Sequence, residues 1–294
     1  MTEIFGYPLP VILGQLMLGL VNGSFYAMLS LGLAVIFGLL GVVNFAHGAF
    51  YMLGAFAAYI GLESLGVNYW FALVLSPLVV GAFGIVLERL FLRHLYKLDP
   101  LYGLLLTFGL ALILEGVMRY FYGSSGSSYP VPDALQGVFN LGFMILPIYR
   151  AWVIVASITI CLTTWFIIER TSLGATLRAA TENPRLVQAF GINVPVIVML
   201  TYGAGVGLAA LAGVLSAPVI QVSPLMGSSL VVVVFAVVVI GGMGSILGAI
   251  VSGLVLGVVE GATKVVYPEA SNIVVFVIMA IVLVLRPAGL FGRE

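Results

Sequence analysis

Apolar blocks of about 20 residues, parted by short polar intervals, run the length of the chain, and a helix of that length crosses a hydrocarbon core of about 30 Å. They cover approximately Pro10 to Gly38, His47 to Leu65, Tyr69 to Leu92, Leu101 to Phe121, Ala151 to Ile168, Val196 to Ala217, Ile246 to Val266 and Asn272 to Leu285. The short alternating segments of a membrane barrel are absent. The pattern therefore predicts an all-α, polytopic transmembrane helical bundle of about eight membrane segments, forming one domain over residues 1–294. Two places break it. One is Gly41 to Asn44, between the first two blocks; the other is Gly241 to Gly244, which ends a 12-residue apolar run from Ser229 to Ile240 read as a half-helix that turns back. A Gly, Ser and Pro-rich loop, Gly123 to Gly137, precedes the apolar stretch Val138 to Pro147, which is too short to span and is read as interfacial. The first block begins at Pro8 without a preceding basic residue or a following cleavage site, so it is expected to stay in the membrane.

Composition agrees with the pattern. Hydrophobic residues make up 62% and charged residues 7%, against roughly 45 to 50% and about 25% in a soluble domain, which excludes a water-soluble globule. The net charge of zero offers no basic surface for nucleic acid. Cys161 is the single cysteine, so no disulfide forms within the chain and its place in an apolar run reads as packing.

The longest polar interval that still carries helix-forming sequence is Glu169 to Pro195. Thr171 and Ser172 are suitable N-caps for a short helix with an apolar stripe of Leu173, Leu177 and Ala180. Asn183 followed by Pro184 starts a second, Arg185 to Phe190, which Gly191 is placed to close. Two readings stand: a surface hairpin that only joins two membrane helices, or a rigid protrusion for a partner. With this interval on one side, Arg89, Arg93, Lys97, Arg170, Arg178, Arg185, Arg286 and Arg293 share that side, and Arg119, Arg150 and Lys264 the other. Eight against three is the asymmetry of the positive-inside rule, and it places the N-terminus outside and the C-terminus inside. Tyr69, Trp70, Tyr120, Tyr122, Tyr149 and Trp152 then fall on the outer side as an aromatic belt.

Gly174, Arg178, Ala179, Asn183, Pro184, Ala189, Gly191 and Ile192 resemble the cytoplasmic loop of ABC-importer permeases of the branched-chain amino acid class. The run Asn22-Gly23-Ser24, the segment Asn44-Phe45-Ala46-His47-Gly48, the glycines from Gly241 to Gly244 and the tail from Arg286 to Gly292 resemble that family's shorter permease. Arg178 stands where a stricter loop motif of other ABC importers has glutamate. The resemblance implies that residues 169–195 dock an ABC ATPase through the eight residues named first. It also implies a second, longer permease subunit, an external or periplasmic substrate-binding protein, and a place in the cytoplasmic (inner) membrane of a bacterium or archaeon, in contact with lipid. No Gly-x-x-x-x-Gly-Lys-Ser/Thr loop is present, so ATP and Mg are expected in the partner and no cofactor in this chain. Added bulk or opposite charge at Gly174, Arg178 or Gly191 is expected to uncouple transport.

Asn44 and His47 flank a helix break, where they either line a substrate path or satisfy backbone groups freed by the break. Asn22, Gly241, Gly242 and Gly244 complete the candidate path. Gly41, Gly48 and Ala49 reappear as Gly241, Gly248 and Ala249, which hints at duplication. Glu115 with Arg119 and Glu260 with Lys264 are spaced as same-face ion pairs, and Glu88 with Arg89 reads as a snorkelling pair. Gly203 to Gly207, Gly244 to Gly248 and the ladder Gly253, Gly257, Gly261 are spaced for close helix contact. The function read from all this is transport of branched-chain or hydrophobic amino acids by a non-enzymatic subunit working by alternating access. A same-family permease for urea, amides or sugars, and an autonomous channel or ion-coupled carrier, are the alternatives.

Overall fold

The computed structural model describes residues 3, 4, 6–41, 43–96 and 98–292. Two short strands, β1 (Glu3–Ile4) and β2 (Tyr7–Pro8), lead into α1 (Leu9–Leu40), followed by α2 (His47–Leu65) and α3 (Tyr69–Leu87). A π-helical turn, Glu88–Leu92, carries α3 into α4 (Arg93–Leu95), and α5 (Pro100–Tyr122) returns through the bundle. The hairpin β3 (Val138–Asn140) and β4 (Ile145–Pro147) precedes α6 (Ile148–Arg170). Two short helices, α7 (Ser172–Glu182) and α8 (Pro184–Ala189), join α6 to α9 (Val194–Ser216). The chain ends with α10 (Met226–Gly241), α11 (Ile246–Val266) and α12 (Val274–Leu285). Seven of these helical segments are long and apolar enough to cross a membrane, and α10 and α12 are shorter apolar helices. The eight expected blocks are those seven and α12.

α1 is the axis of the bundle, with 83% of its apolar window buried, whereas α5 is peripheral, with only 11% buried. Helices in hydrocarbon gain nothing from hiding leucine from lipid, so close packing has to come from small residues. The ladder on α11 supplies it. A Cβ on Gly257 would lie 2.3 Å from Gly23 Cα of α1, and Gly253 and Gly261 meet Ala27 and Gly19 in the same way. Gly38 against Gly244 at the other end shows that α1 and α11 run antiparallel. Phe71, Leu78, Leu105, Ile113, Phe166 and Val284 point outward, as side chains facing lipid do.

One end of the bundle carries the α7–α8 loop and the other the β3–β4 hairpin. Arg89, Arg93, Arg170, Arg178, Arg185 and Arg286 sit at the loop end and Arg119, Arg150 and Lys264 at the hairpin end, the partition expected from sequence. Lys97 and Arg293 lie outside the described residues.

Several local expectations change. The stretch Val138 to Pro147 is an antiparallel hairpin, turned where Asn140 Oδ1 accepts from Gly142 N at 2.9 Å and Gly142 takes φ 79°. Tyr69 and Tyr149 do not face an interface: both are buried, and the Tyr149 hydroxyl donates to Leu215 O at 2.9 Å, tying α6 to α9. Trp152 Nε1 donates to the Tyr69 hydroxyl at 3.0 Å, which adds α3 to the lock. Glu88 does not pair with Arg89, because adjacent helical residues point apart. It is buried and accepts from the Tyr96 hydroxyl at 2.9 Å across the π-helical turn, while Arg89 is exposed. The pairs Glu115–Arg119 and Glu260–Lys264 do form, and Tyr26 also donates to Glu260 at 2.7 Å.

Candidate functional site

Two regions hold the candidate residues. In the loop, α7 crosses the last turn of α6 so closely that a Cβ on Gly174 would stand 1.7 Å from Ile168 O. Arg178 secures the crossing by donating from Nη1 to the same Ile168 carbonyl at 2.6 Å, with the Glu169 carboxylate 3.6 Å away. That carbonyl belongs to the last turn of α6, whose final C=O groups have no partner within the helix, so a cation there is doubly favoured. Arg178 thus fastens α7 to the end of α6, while its side chain stays 41% exposed.

The first helix is not capped as the sequence suggested. No side chain caps α7, because the Thr171 hydroxyl donates back to Ile167 O. Asn183 does cap α8, accepting from Leu186 N at 3.1 Å, with Pro184 following it. Ala180, Val187 and Val194 form a small core of their own, with Ile192 packed on it, so the hairpin is a stiff unit. Gly191 takes φ 80°, a conformation that glycine adopts without steric cost, and lets α8 turn toward α9. Ala179 and Ala189 are exposed, and beside Ala189 are two residues that sequence reasoning passed over, Leu186 and Phe190, 55% and 77% exposed. Their signal in the sequence was a leucine and a phenylalanine on a polar interval too short to enter the membrane.

The second region is the break between α1 and α2. Asn44 is fully buried: its Oδ1 accepts from Ala46 N at 3.1 Å, and its Nδ2 donates to the Tyr202 hydroxyl at 3.2 Å. His47 Nε2 donates to Leu29 O of α1 at 3.0 Å, beside Gly32, where a Cβ would collide with the imidazole. His47 thus ties the first turn of α2 to a carbonyl within α1, whereas Asn44 matches the reading in which a backbone group freed by the break is satisfied. Thr107 of α5, unremarked in the sequence, does the same: its hydroxyl accepts from Phe45 N at 3.1 Å. Thr107→Val is expected to strand that N–H in an apolar setting at a cost of about 1 to 3 kcal/mol. The loss would be read as a lower melting temperature of the purified protein, with an unchanged melting point counting against it.

Asn22 is half-buried on α1, two turns before Leu29. Gly241, Gly242 and Gly244 lie at the loop end and do not meet Asn44 or His47. Gly241 packs on Gly248, Gly244 on Gly38, and Gly242 on the C-terminal tail. The tail closes α10, with Leu290 N donating to Ile240 O at 2.9 Å and Phe291 N to Gly241 O at 3.1 Å. What meets the first break is the other end of α10. A Cβ on Gly48 would lie 2.5 Å from Gly227 O, so the first turns of α2 and α10 touch. Both helices begin inside the bundle, since His47 lies against Gly32, roughly 12 Å along α1 before that helix ends. Phe45 stacks at 4.7 Å on Phe235 of α10, and a cavity of about 70 Å³ opens beside it, bordered by Met52, Phe108, Leu112, Glu115, Ser228 and Val231. Among the described residues no group of His, Cys, Asp or Glu could hold a metal ion.

A family model described as the permease component of branched-chain amino acid transport systems matches residues 15–283. The high-affinity branched-chain amino acid transport system permease protein BraD of Pseudomonas aeruginosa is 32% identical, over 100% of this chain and 98% of that protein. The corresponding permease protein LivH of Escherichia coli K12 is 28% identical over the same shares. A probable branched-chain amino acid transport permease protein LivH of Methanocaldococcus jannaschii is 26% identical, over 94% of this chain and 91% of that one.

Proposed function

The chain belongs to the family of permease components of branched-chain amino acid transport systems, and from that premise we propose that it is the membrane subunit of an ATP-driven importer of leucine-like amino acids. The supporting observation is the α7–α8 loop. It is stiffened by its own core, joined to α6 through Gly174 and Arg178, and presents Leu186 and Phe190 to the outside. A stiff lever with an apolar tip suits a groove on a partner ATPase, whose ATP binding and hydrolysis would swing α6 and α9 together. Alternating access follows if that swing opens and closes the region where α2 and α10 begin. The outer face of the peripheral α5, with Leu105 and Ile113 exposed, suits a second, longer permease subunit. An external binding protein would deliver the substrate to the hairpin end.

The basic residues orient the chain. Six of the nine described Lys and Arg lie at the loop end, which supports the reading that this end and the C-terminus are cytoplasmic. A reporter enzyme that works only in the cytoplasm, fused after the last residue, should be active; activity confined to an external reporter would reverse the orientation.

The function is tested by reconstitution. With its ATPase, second permease and binding protein in proteoliposomes, the chain should support leucine uptake that requires ATP. Leucine uptake by the purified chain alone, without ATP, would establish an autonomous carrier instead.

A further inference from the structure

Glu115 is the point of departure. It lies seven residues before the end of α5, roughly 10 Å along the helix from the hairpin end. A carboxylate at such a depth is costly to hold in hydrocarbon unless it is paired, and ionisable groups kept there mark pathways more often than packing. Its partner Arg119 sits 2.8 Å away, one turn nearer that end, with a side chain 49% exposed against 18% for Glu115. The arginine thus reaches outward, while the carboxylate borders the cavity beside the first break.

The chemistry of that cavity is uneven. Phe45, Phe108, Leu112 and Val231 give it apolar walls, and Glu115 gives it a single charged edge. Its volume of about 70 Å³ exceeds several-fold the roughly 10 to 15 Å³ that one water requires, so it accepts a small branched alkyl group. The floor is the Gly48–Gly227 contact, the joint that must move if α2 and α10 are to part.

We propose that Glu115 and this cavity form a substrate subsite, in which the ammonium of a branched-chain amino acid replaces Arg119 as partner of the carboxylate and the alkyl group fills the apolar pocket. The proposal rests on the amino acid transport reading above. Exchange of one cation for another keeps the carboxylate paired at every stage, and the displaced Arg119 side chain, already 49% exposed, turns toward the hairpin end. The pair Glu115–Arg119 is then a gate as well as a structural link.

The test uses the complete transporter in lipid nanodiscs, carrying Cys161→Ser and Ser228→Cys, with alkylation by N-ethylmaleimide as the readout at the cavity's edge. L-leucine and 3-methylbutylamine, which both present an ammonium, should slow alkylation about tenfold, whereas 4-methylpentanoate, which lacks one, should not. Glu115→Gln should abolish the protection. So should Glu115→Gln combined with Arg119→Gln, which leaves no unpaired charge that could disturb the fold. Undiminished protection in either variant, equal protection by 4-methylpentanoate, or no protection by leucine would overturn the subsite. Leucine uptake by the unsubstituted transporter separates the two levels. Uptake without protection removes the subsite alone, and absence of ATP-driven leucine uptake removes the transport reading on which it rests.

Discussion

A transporter carrying Gly174→Leu is expected to assemble in the membrane at normal levels and to lose ATP-driven leucine uptake at least tenfold. The reason is local. The position a Cβ would take is 1.7 Å from Ile168 O, well inside any real contact, and the obstacle is backbone that cannot rotate away. α7 must therefore lift from α6, and lifting it breaks the bond from Arg178 to the same carbonyl. The crossing lies at the last turn of α6, at the edge of the main core, so the contacts between the spanning parts of the helices are kept. Uptake and ATP hydrolysis measured together in proteoliposomes should show turnover of ATP without transport. Uptake at the wild-type rate would refute the lever. Gly191, once grouped with Gly174, should matter less: nothing lies within 4 Å of an added Cβ, and only its φ of 80° resists substitution, at about 1 kcal/mol.

The second large effect is expected at Phe190. It is 77% exposed, and with Leu186 it forms an apolar tip on a segment that neither enters lipid nor packs on the chain's own core. A buried aromatic anchor contributes about 2 kcal/mol or more to an interface, so Phe190→Asp should weaken docking of the ATPase by roughly thirtyfold or more. Co-purification of the ATPase with the permease should fall accordingly, while the melting temperature of the isolated permease stays put. Full retention of the ATPase by the variant would shift the docking surface to other residues.

Much of this molecule was legible in one dimension. His47 to Leu65 and Ile246 to Val266 coincide with α2 and α11, and the other blocks agree within a few residues. The loop's two helices, the cap at Asn183 and the charge partition were legible too. The unread parts share a feature. Thr107 depends on a group 62 residues away, Glu115 on a neighbouring cavity, and Arg178 and Glu88 on partners across a helix crossing and a π-helical turn, none of which spacing along one helix reveals. Tyr69 and Tyr149 read as interfacial aromatics along the chain, but the Tyr149 hydroxyl is tied to Leu215 O and the Tyr69 hydroxyl to Tyr149 and Trp152.

The two breaks make the division plain. Sequence alone determined that this is a bundle of membrane helices, where they start and stop, and which ends carry the positive charge. Hydrocarbon offers the backbone no partner, so each spanning segment must solve its hydrogen bonding within itself and displays the solution as a local apolar run. Tertiary structure alone decided that the first break meets the beginning of α10, at Gly48 and Gly227, and not the Gly241 to Gly244 turn. Among 36 glycines, pairing is a matter of which two surfaces approach closely enough to exclude a Cβ. That contact is made between helices nearly 180 residues apart, and nothing in the sequence around either glycine encodes its partner.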